Sequence, residues 1–383
     1  NLIGSELTQL FYYPESFADS TTANEIFLIS DVAGEVLIEI IANSGQYEAL
    51  LTLLQTPEYG LHDIIDNGDS TLIISGLYPI ANLIKLDSLP ELINYVRPYY
   101  SPINGNFAST GLTSTQGDLV MGGVDAKNGW EVSGQGVKVG VLSDSYNTKS
   151  GDPAALDVVN GDLPGTDNPN YTQPVVVTGE YSFGRASDEG RAMLQIIHDV
   201  APNAELYFRT GFISPGNFAE GIKELADSGC KVIVDDITYI TEPYYQDGVI
   251  AQAVESVSSQ GVNYFTSAGN FGNRAYEGVF TPTAAPAGYT GTAHNYGSGD
   301  VFQSITLEQG IYTIALQWED EFYSLGQSSG AQNDLDIYLV DKFGNRLFGF
   351  NRNNLGGDPL EILPFVVRTT IDANLIVTRK SGS

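Results

Sequence analysis

Three textures of hydrophobic patterning follow one another along this 383-residue chain. In the first, residues 25–30 and 35–41 are apolar runs that read as strands. Tyr47, Leu50, Leu51 and Leu54 recur at helical spacing and predict a helix over 46–54. The turn signal Asp66-Asn-Gly-Asp leads into a strand over 69–75, and a helix over 77–86 and a strand over 92–100 complete the segment. Strand, helix, strand, helix, strand approximates the split βαβ pattern of a small open sandwich. A Gly-, Ser- and Asn-rich stretch beginning at Ser101 reads as a linker.

In the second texture, short apolar strands alternate with helices. Strands are expected over 136–144, 204–208, 231–237 and 262–270. Helices are expected over 186–198, over 217–228 before Gly229, and over 247–259 before Gly261. That alternation means a parallel sheet covered on both faces, with function gathered beyond the carboxyl ends of the strands. The third texture consists of short strands over 304–307, 312–318, 334–341, 347–350, 361–367 and 374–379, with a hairpin turn at Asp341-Lys-Phe-Gly-Asn. It predicts a β-sandwich, of jelly-roll type. The domains expected are 1–105, a linker 106–116, an α/β domain over 117–294 and the sandwich over 295–383.

The formal net charge of −30 repels phosphate backbones and anionic lipid, which argues against nucleic-acid or membrane-surface binding. No apolar stretch reaches about 18 residues, so no membrane-spanning helix is expected. The single cysteine, Cys230, allows neither an internal disulfide nor a zinc site, and reads as a small buried residue at a strand start. The chain begins at Asn1, without a charged n-region or apolar h-region. It is read as a processed or trimmed product, secreted or at the cell surface or in the periplasm.

Candidate chemistry lies where strands end. Asp144 ends the first α/β strand, Asp235 and Asp236 the third, and Asn270 the fourth; Asp188 and Glu189 start a helix. Helix-start carboxylates also complement the macrodipole, with Ser187 as a possible cap. Paired aspartates within a strand pattern need a partner or a proton. Val139-Gly-Val-Leu-Ser-Asp144-Ser resembles the aspartate strand of the subtilisin superfamily. The run from Asp188-Glu-Gly-Arg to Ala201-Pro-Asn-Ala resembles its histidine helix and the segment after it, and Thr266-Ser-Ala-Gly-Asn270 its oxyanion strand. The three occur in the family's order.

The family's histidine position holds Glu189 here, which resembles the glutamate-using sedolisin branch. Sedolisins carry an aspartate four residues beyond the glutamate, where this chain has Met193, and an oxyanion aspartate where it has Asn270. The pattern is thus a hybrid. The resemblance implies a serine endopeptidase with a Ser-Glu-Asp triad: Glu189 as base, Asp144 as its partner, Asn270 as oxyanion donor. Two neighbouring carboxylates cannot easily both ionise, so one pKa should rise. A carboxylate base also stays functional below the pKa of about 6.5 at which a histidine base becomes protonated, so an acid-shifted optimum is expected. The resemblance also implies peptide or protein substrates and a ferredoxin-like propeptide over 1–105 acting as intramolecular inhibitor. Asp236 is expected to line the substrate cleft, walled by Tyr239 with Tyr244, Tyr245 and Glu242.

No Gly-Thr-Ser segment occurs in the sequence. The nucleophile is expected downstream or on a second chain; the alternative is an inactive pseudopeptidase that serves as an extracellular binding or scaffolding protein. No cofactor is required. Calcium at Asp334, Asp336 and Asp341 is conceivable, though turn and edge solubility explain them equally well. His198 is read as structural.

Overall fold

The structure is a computed structural model, and it describes residues 2–14, 34–67, 71–100, 115–184, 186–272, 274–327 and 329–382. The strand expected over 25–30 and the linker after Ser101 lie outside the described residues. The chain divides into two compact units. One comprises Asn1–Ser101, Ile240–Gly248 and Ala275–Ser383; the other comprises Pro102–Tyr239 and Val249–Arg274.

The N-terminal part of the first unit is a four-stranded antiparallel sheet with order β2-β3-β1-β4. Its strands are β1 (Glu35–Ala42), β2 (His62–Ile65), β3 (Ile73–Pro79) and β4 (Ile93–Pro98). Helices α1 (Gly4–Tyr12) and α2 (Tyr47–Leu54), with a 3₁₀ helix (Ile80–Ser88), accompany it. One face of the sheet presents Val36, Ile38, Ile40, Ile74 and Tyr78 to Ile3, Leu7, Leu10, Leu50 and Leu54. α1 was not expected, although Ile3, Leu7 and Leu10 stand at helical spacing. The helix predicted over 77–86 starts later, because Leu77, Tyr78 and Pro79 pair with Leu37, Val36 and Glu35 and extend β3. β1 is buried on both faces, which is why its sequence is apolar almost without interruption.

The second unit carries a five-stranded parallel sheet with order β6-β7-β5-β8-β9. Its strands are β5 (Lys138–Ser143), β6 (Val176–Gly179), β7 (Glu205–Thr210), β8 (Val232–Asp235) and β9 (Asn263–Thr266). The unit's helices are α3 (Gln116–Val120), α4 (Gly123–Trp130), α5 (Pro153–Asn160), α6 (Glu189–Val200), α7 (Pro215–Asp227) and α8 (Val249–Ser259). Alternate residues of the strands feed two cores. Val139, Val141, Leu206, Phe208, Val232 and Val234 pack with Leu194 and Ile197 of α6. Leu142 and Ile233 pack with Phe218, Ile222 and Leu225 of α7 and Ala253 and Val257 of α8. The sheet is therefore covered on both faces, as the strand–helix alternation predicts. Cys230 is buried in the second core, and burial pushes its thiol up to about 11.

The rest of the first unit is antiparallel. β10 (Pro282–Ala284), β11 (Thr292–His294), β12 (Gln303–Leu307), β14 (Asp334–Asp341), β15 (Arg346–Phe350) and β17 (Ile371–Ser381) form a six-stranded sheet. β13 (Gly310–Gln317) and β16 (Leu360–Val367) pair separately. The two layers enclose Leu307, Ile337, Leu339, Leu363 and Phe365. Among the described residues this is an arrangement of six strands against two. β11 pairs with β17 at Thr292↔Arg379, so residues from Ala275 onward belong with the sandwich. Asp341 closes the β14–β15 hairpin by accepting the N–H groups of Phe343 and Asn345, each at 2.8 Å.

Candidate active site

Strand order alone locates a crevice in the parallel sheet. From β5 the chain leaves toward β6, at one edge; from its neighbour β8 it leaves toward β9, at the other. Outgoing connections that diverge from adjacent strands open a cleft beyond their carboxyl ends. Asp144 follows the last residue of β5 and Asp236 the last of β8.

Asp144 is buried and fully used. Its Oδ1 accepts the N–H of Ser145 and, at 2.9 Å, the N–H of Glu189. Its Oδ2 accepts both the N–H and the hydroxyl of Ser187. The aspartate thus grips the start of α6 through the backbone, and its oxygens are committed there. Asp188 anchors the same junction from the other side. Held at φ +56°, it makes no cap hydrogen bond to its own helix. Its Oδ1 accepts the Ser145 hydroxyl at 2.9 Å and the Thr148 N–H and hydroxyl at 2.7 Å each, and its Oδ2 takes Arg191 at 2.6 Å. Burial alone would raise this carboxyl, but the bonds from Arg191, Thr148 and Ser145 outweigh it and hold it down at about 2. Glu180 performs a similar service for the loop after β5, accepting the N–H groups of Tyr146 at 3.1 Å and Asn147 at 2.8 Å. Neither anchoring role is visible in sequence, since both depend on residues about 40 positions away.

Gly190 explains how closely α6 can approach. A Cβ at that position would lie 2.2 Å from Phe208 Cε2 and 2.8 Å from the Ser145 carbonyl. Only glycine lets the first turn of α6 sit against β7 and the end of β5.

Glu189 is the first residue of that helix. Pleat alternation places Val232, Val234 and Asp236 toward the α6 face, and Val139, Val141 and Ser143 likewise. Glu189 Oε2, both Asp236 oxygens and Ser143 Oγ are buried together, Ser143 beside Asp236 and Asp236 beside Glu189, with no partner outside this group among the described residues. Burial, then the negative charges of Asp236 and Asp144, push the Glu189 carboxyl up to about 7. Burial pushes Asp236 up to about 6, opposed by the Ser143 hydroxyl and reinforced by Asp144 and Asp235. Burial and like charge both disfavour ionising this pair of carboxyls. The rise expected for one of two neighbouring carboxylates thus falls on Glu189 and Asp236.

The other expected site residues fall elsewhere. Asp235 points away from Asp236, accepting the Thr266 hydroxyl at 2.9 Å and the Ile237 N–H at 3.2 Å. Tyr239, expected in the cleft wall, is packed against Phe218 in the α7–α8 core and gives its hydroxyl to the Gly211 carbonyl at 2.6 Å. It is a core residue and not available to a substrate. Tyr244 is tied within the first unit, where its N–H meets Gln317 Oε1 at 3.0 Å. Asn270 is exposed beyond β9 and shares no hydrogen bond with the three carboxylates. His198 is buried edge-on to Tyr171, and burial lowers its pKa. In the sandwich, Asp336 accepts the Tyr338 hydroxyl at 2.7 Å and Asp334 the Asn354 N–H at 3.1 Å. Among the described residues no group of three His, Cys, Asp or Glu side chains is placed to hold a metal ion. No described helix is long and apolar enough to cross a membrane.

No protein-family model matches the chain, and no curated protein does. Solved structures do. The epidermin leader peptide processing serine protease (EpiP) of Staphylococcus aureus, as its S393A mutant, aligns over 64% of this chain and 66% of its own, at 12% identity and a TM-score of 0.39. Fervidolysin from Fervidobacterium pennivorans, a keratinolytic enzyme related to subtilisin, aligns over 91% of this chain and 71% of its own, at 13% identity and a TM-score of 0.34. The Clostridium perfringens CspB protease covers 68% of this chain and 64% of its own, at 11% and 0.32. The chain spans just under two thirds of the length of EpiP.

Proposed function

We propose that this chain contributes the general-base side of a serine endopeptidase of the subtilisin/sedolisin type, with Glu189 in the place of a histidine. The observation that carries the reading is the convergence of Asp144, Glu189 and Asp236 at the switch point of the parallel sheet, with Glu189 Oε2 buried beside Asp236. A base must be close to neutral pKa and free to accept a proton, and Glu189 satisfies both. Asp144 acts as orienter through the backbone of residues 187–189. Asp236 tunes the base by its negative charge. Asn270 is the proposed oxyanion donor. The serine would come from a Gly-Thr-Ser segment that this sequence does not contain.

In the reaction, Glu189 takes the serine hydroxyl proton as the oxygen attacks the amide carbon, then returns it to the leaving amine. The substrate is a peptide or protein.

The test is peptide hydrolysis by the product of the complete reading frame, wild type against Glu189→Gln. Loss of turnover by on the order of 10³-fold or more supports the assignment. Equal turnover removes Glu189 from the mechanism. No turnover by the wild type on a broad peptide library would leave the fold as a binding protein.

A further inference from the structure

The N-terminal sheet has a second face, and within the first unit that face is occupied. It carries Glu39 of β1, Ser75 of β3, and Tyr95 and Arg97 of β4, alternating with the residues that face α1 and α2. Arg97 is buried, with its Nε 2.5 Å from Glu39 and its Nη1 3.6 Å from Asp358 of the sandwich. Asp358 is itself fully buried. It receives the Tyr95 hydroxyl, the Ser324 N–H at 2.9 Å and the Ser324 hydroxyl at 2.7 Å. Arg352 lies over the Tyr95 ring at 4.1 Å. The backbone continues the seam, with the Leu72 N–H meeting the Ser324 carbonyl at 3.0 Å. Apolar contacts flank the charges: Ile41, Ile73 and Tyr95 pack with Tyr323, and Tyr100 packs with Phe322, Leu360 and Ile362.

A segment built to leave presents a face that water can accept afterwards. This face would expose Arg97 and Glu39 together and strand Asp358 without its cation inside the sandwich. Breaking a buried, hydrogen-bonded ion cluster by removing one partner is strongly unfavourable. A flanking apolar seam adds the cost of rehydrating it.

We propose that residues 1–100 are a permanent half of the sandwich unit, docked through the Arg97–Asp358 cluster, and remain bound when the chain is cut between the two. The segment expected as an intramolecular inhibitor then stays with the sandwich as a non-covalent subunit. This inference is independent of the peptidase reading.

The test places the recognition sequence of a site-specific protease between Ser109 and Thr110 of the full chain. After complete cutting, native mass spectrometry and size exclusion at low micromolar concentration should show both fragments in one 1:1 particle. Separate elution without denaturant overturns the proposal. In the cut protein, Arg97→Met should weaken fragment association by on the order of 10²–10³-fold. Unchanged association would show that the cluster does not hold the halves together. If uncut Arg97→Met fails to unfold cooperatively, cut Asp358→Asn gives the same reading, because its shape is kept while its charge is removed.

Discussion

The N–H of Glu189 donates to Oδ1 of Asp144 at 2.9 Å, so the aspartate holds the glutamate by its backbone and leaves its carboxyl to another neighbour. That neighbour is Asp236, whose charge raises Glu189 more than that of Asp144 does, after burial. Glu189 is consequently a buried acid whose ionised form the fold disfavours. Its folded value of about 7 lies above the ordinary 4.5. Such a group costs nothing below about pH 4.5, and the stability of the protonated form is lost as pH rises through 7. Glu189→Gln should match the wild type in Tm at pH 4.5 and exceed it at pH 8. Thermal unfolding at the two pH values checks this; an equal difference at both would place the charge elsewhere.

Asp236→Asn should act on Glu189 at a distance. Removing the negative charge lowers the Glu189 pKa, because the like charge was one cause of its rise. Carboxyl carbon shifts followed by NMR across pH 4–9 should show the Glu189 titration move to lower pH by about one unit or more. Where the proposed peptide hydrolysis is measured, the ascending limb of its kcat/KM profile should move the same way. A static limb would mean that another group sets it.

The positions of Asp144, Asp236 and the start of α6 were legible because strand ends in parallel sheets are marked by polar residues after apolar runs. The Glu35–Ala42 strand announced its double burial in the same way. What sequence could not give was direction. Asp235 and Asp236 read as a pair, yet a period of two sends one to Thr266 and the other toward Glu189. Tyr239 read as a cleft aromatic because its strand ends at the site, but its ring turns into the helix core. Asp188 read as a macrodipole complement, whereas it bonds the loop at 145–149, which periodicity does not connect to it. The grouping of 1–101 with 275–383 was hidden for a similar reason. It rests on single polar residues such as Arg97 and Asp358, 261 positions apart in a sequence that shows no link between them.

Gly190→Ala tests the close approach of α6. The added methyl would lie 2.2 Å from Phe208 Cε2 and 2.8 Å from the Ser145 carbonyl. Over-packing of this kind costs about 1–3 kcal/mol. Gly129 of α4 has nothing within 4 Å of its Cβ position, so Gly129→Ala should be neutral or stabilise by about 0.5–1 kcal/mol. Urea unfolding of the two variants should therefore give opposite signs. Destabilisation by both would point to glycine's backbone freedom and not to contact with Phe208.

Asp188→Asn separates charge from backbone conformation. Asparagine tolerates the left-handed region that Asp188 occupies at φ +56°, so the substitution alters mainly the carboxylate. The carboxylate accepts five hydrogen bonds, from Ser145, Thr148 twice, Lys149 and Arg191. An amide keeps one acceptor oxygen and turns a donor toward Arg191, which retains Asp157 at 2.8 Å. The loss should be about 2–4 kcal/mol at pH 7, within the range for a buried charged hydrogen-bond acceptor. The sign with pH follows from a folded value held down near 2. The ionised carboxylate stabilises fully above about pH 4, and that contribution is lost as pH falls through 2. Wild type and variant should therefore converge in stability near pH 2 and diverge above pH 4. A gap that stays constant from pH 2 to pH 7 would show that Asp188 holds the loop by shape and not by charge.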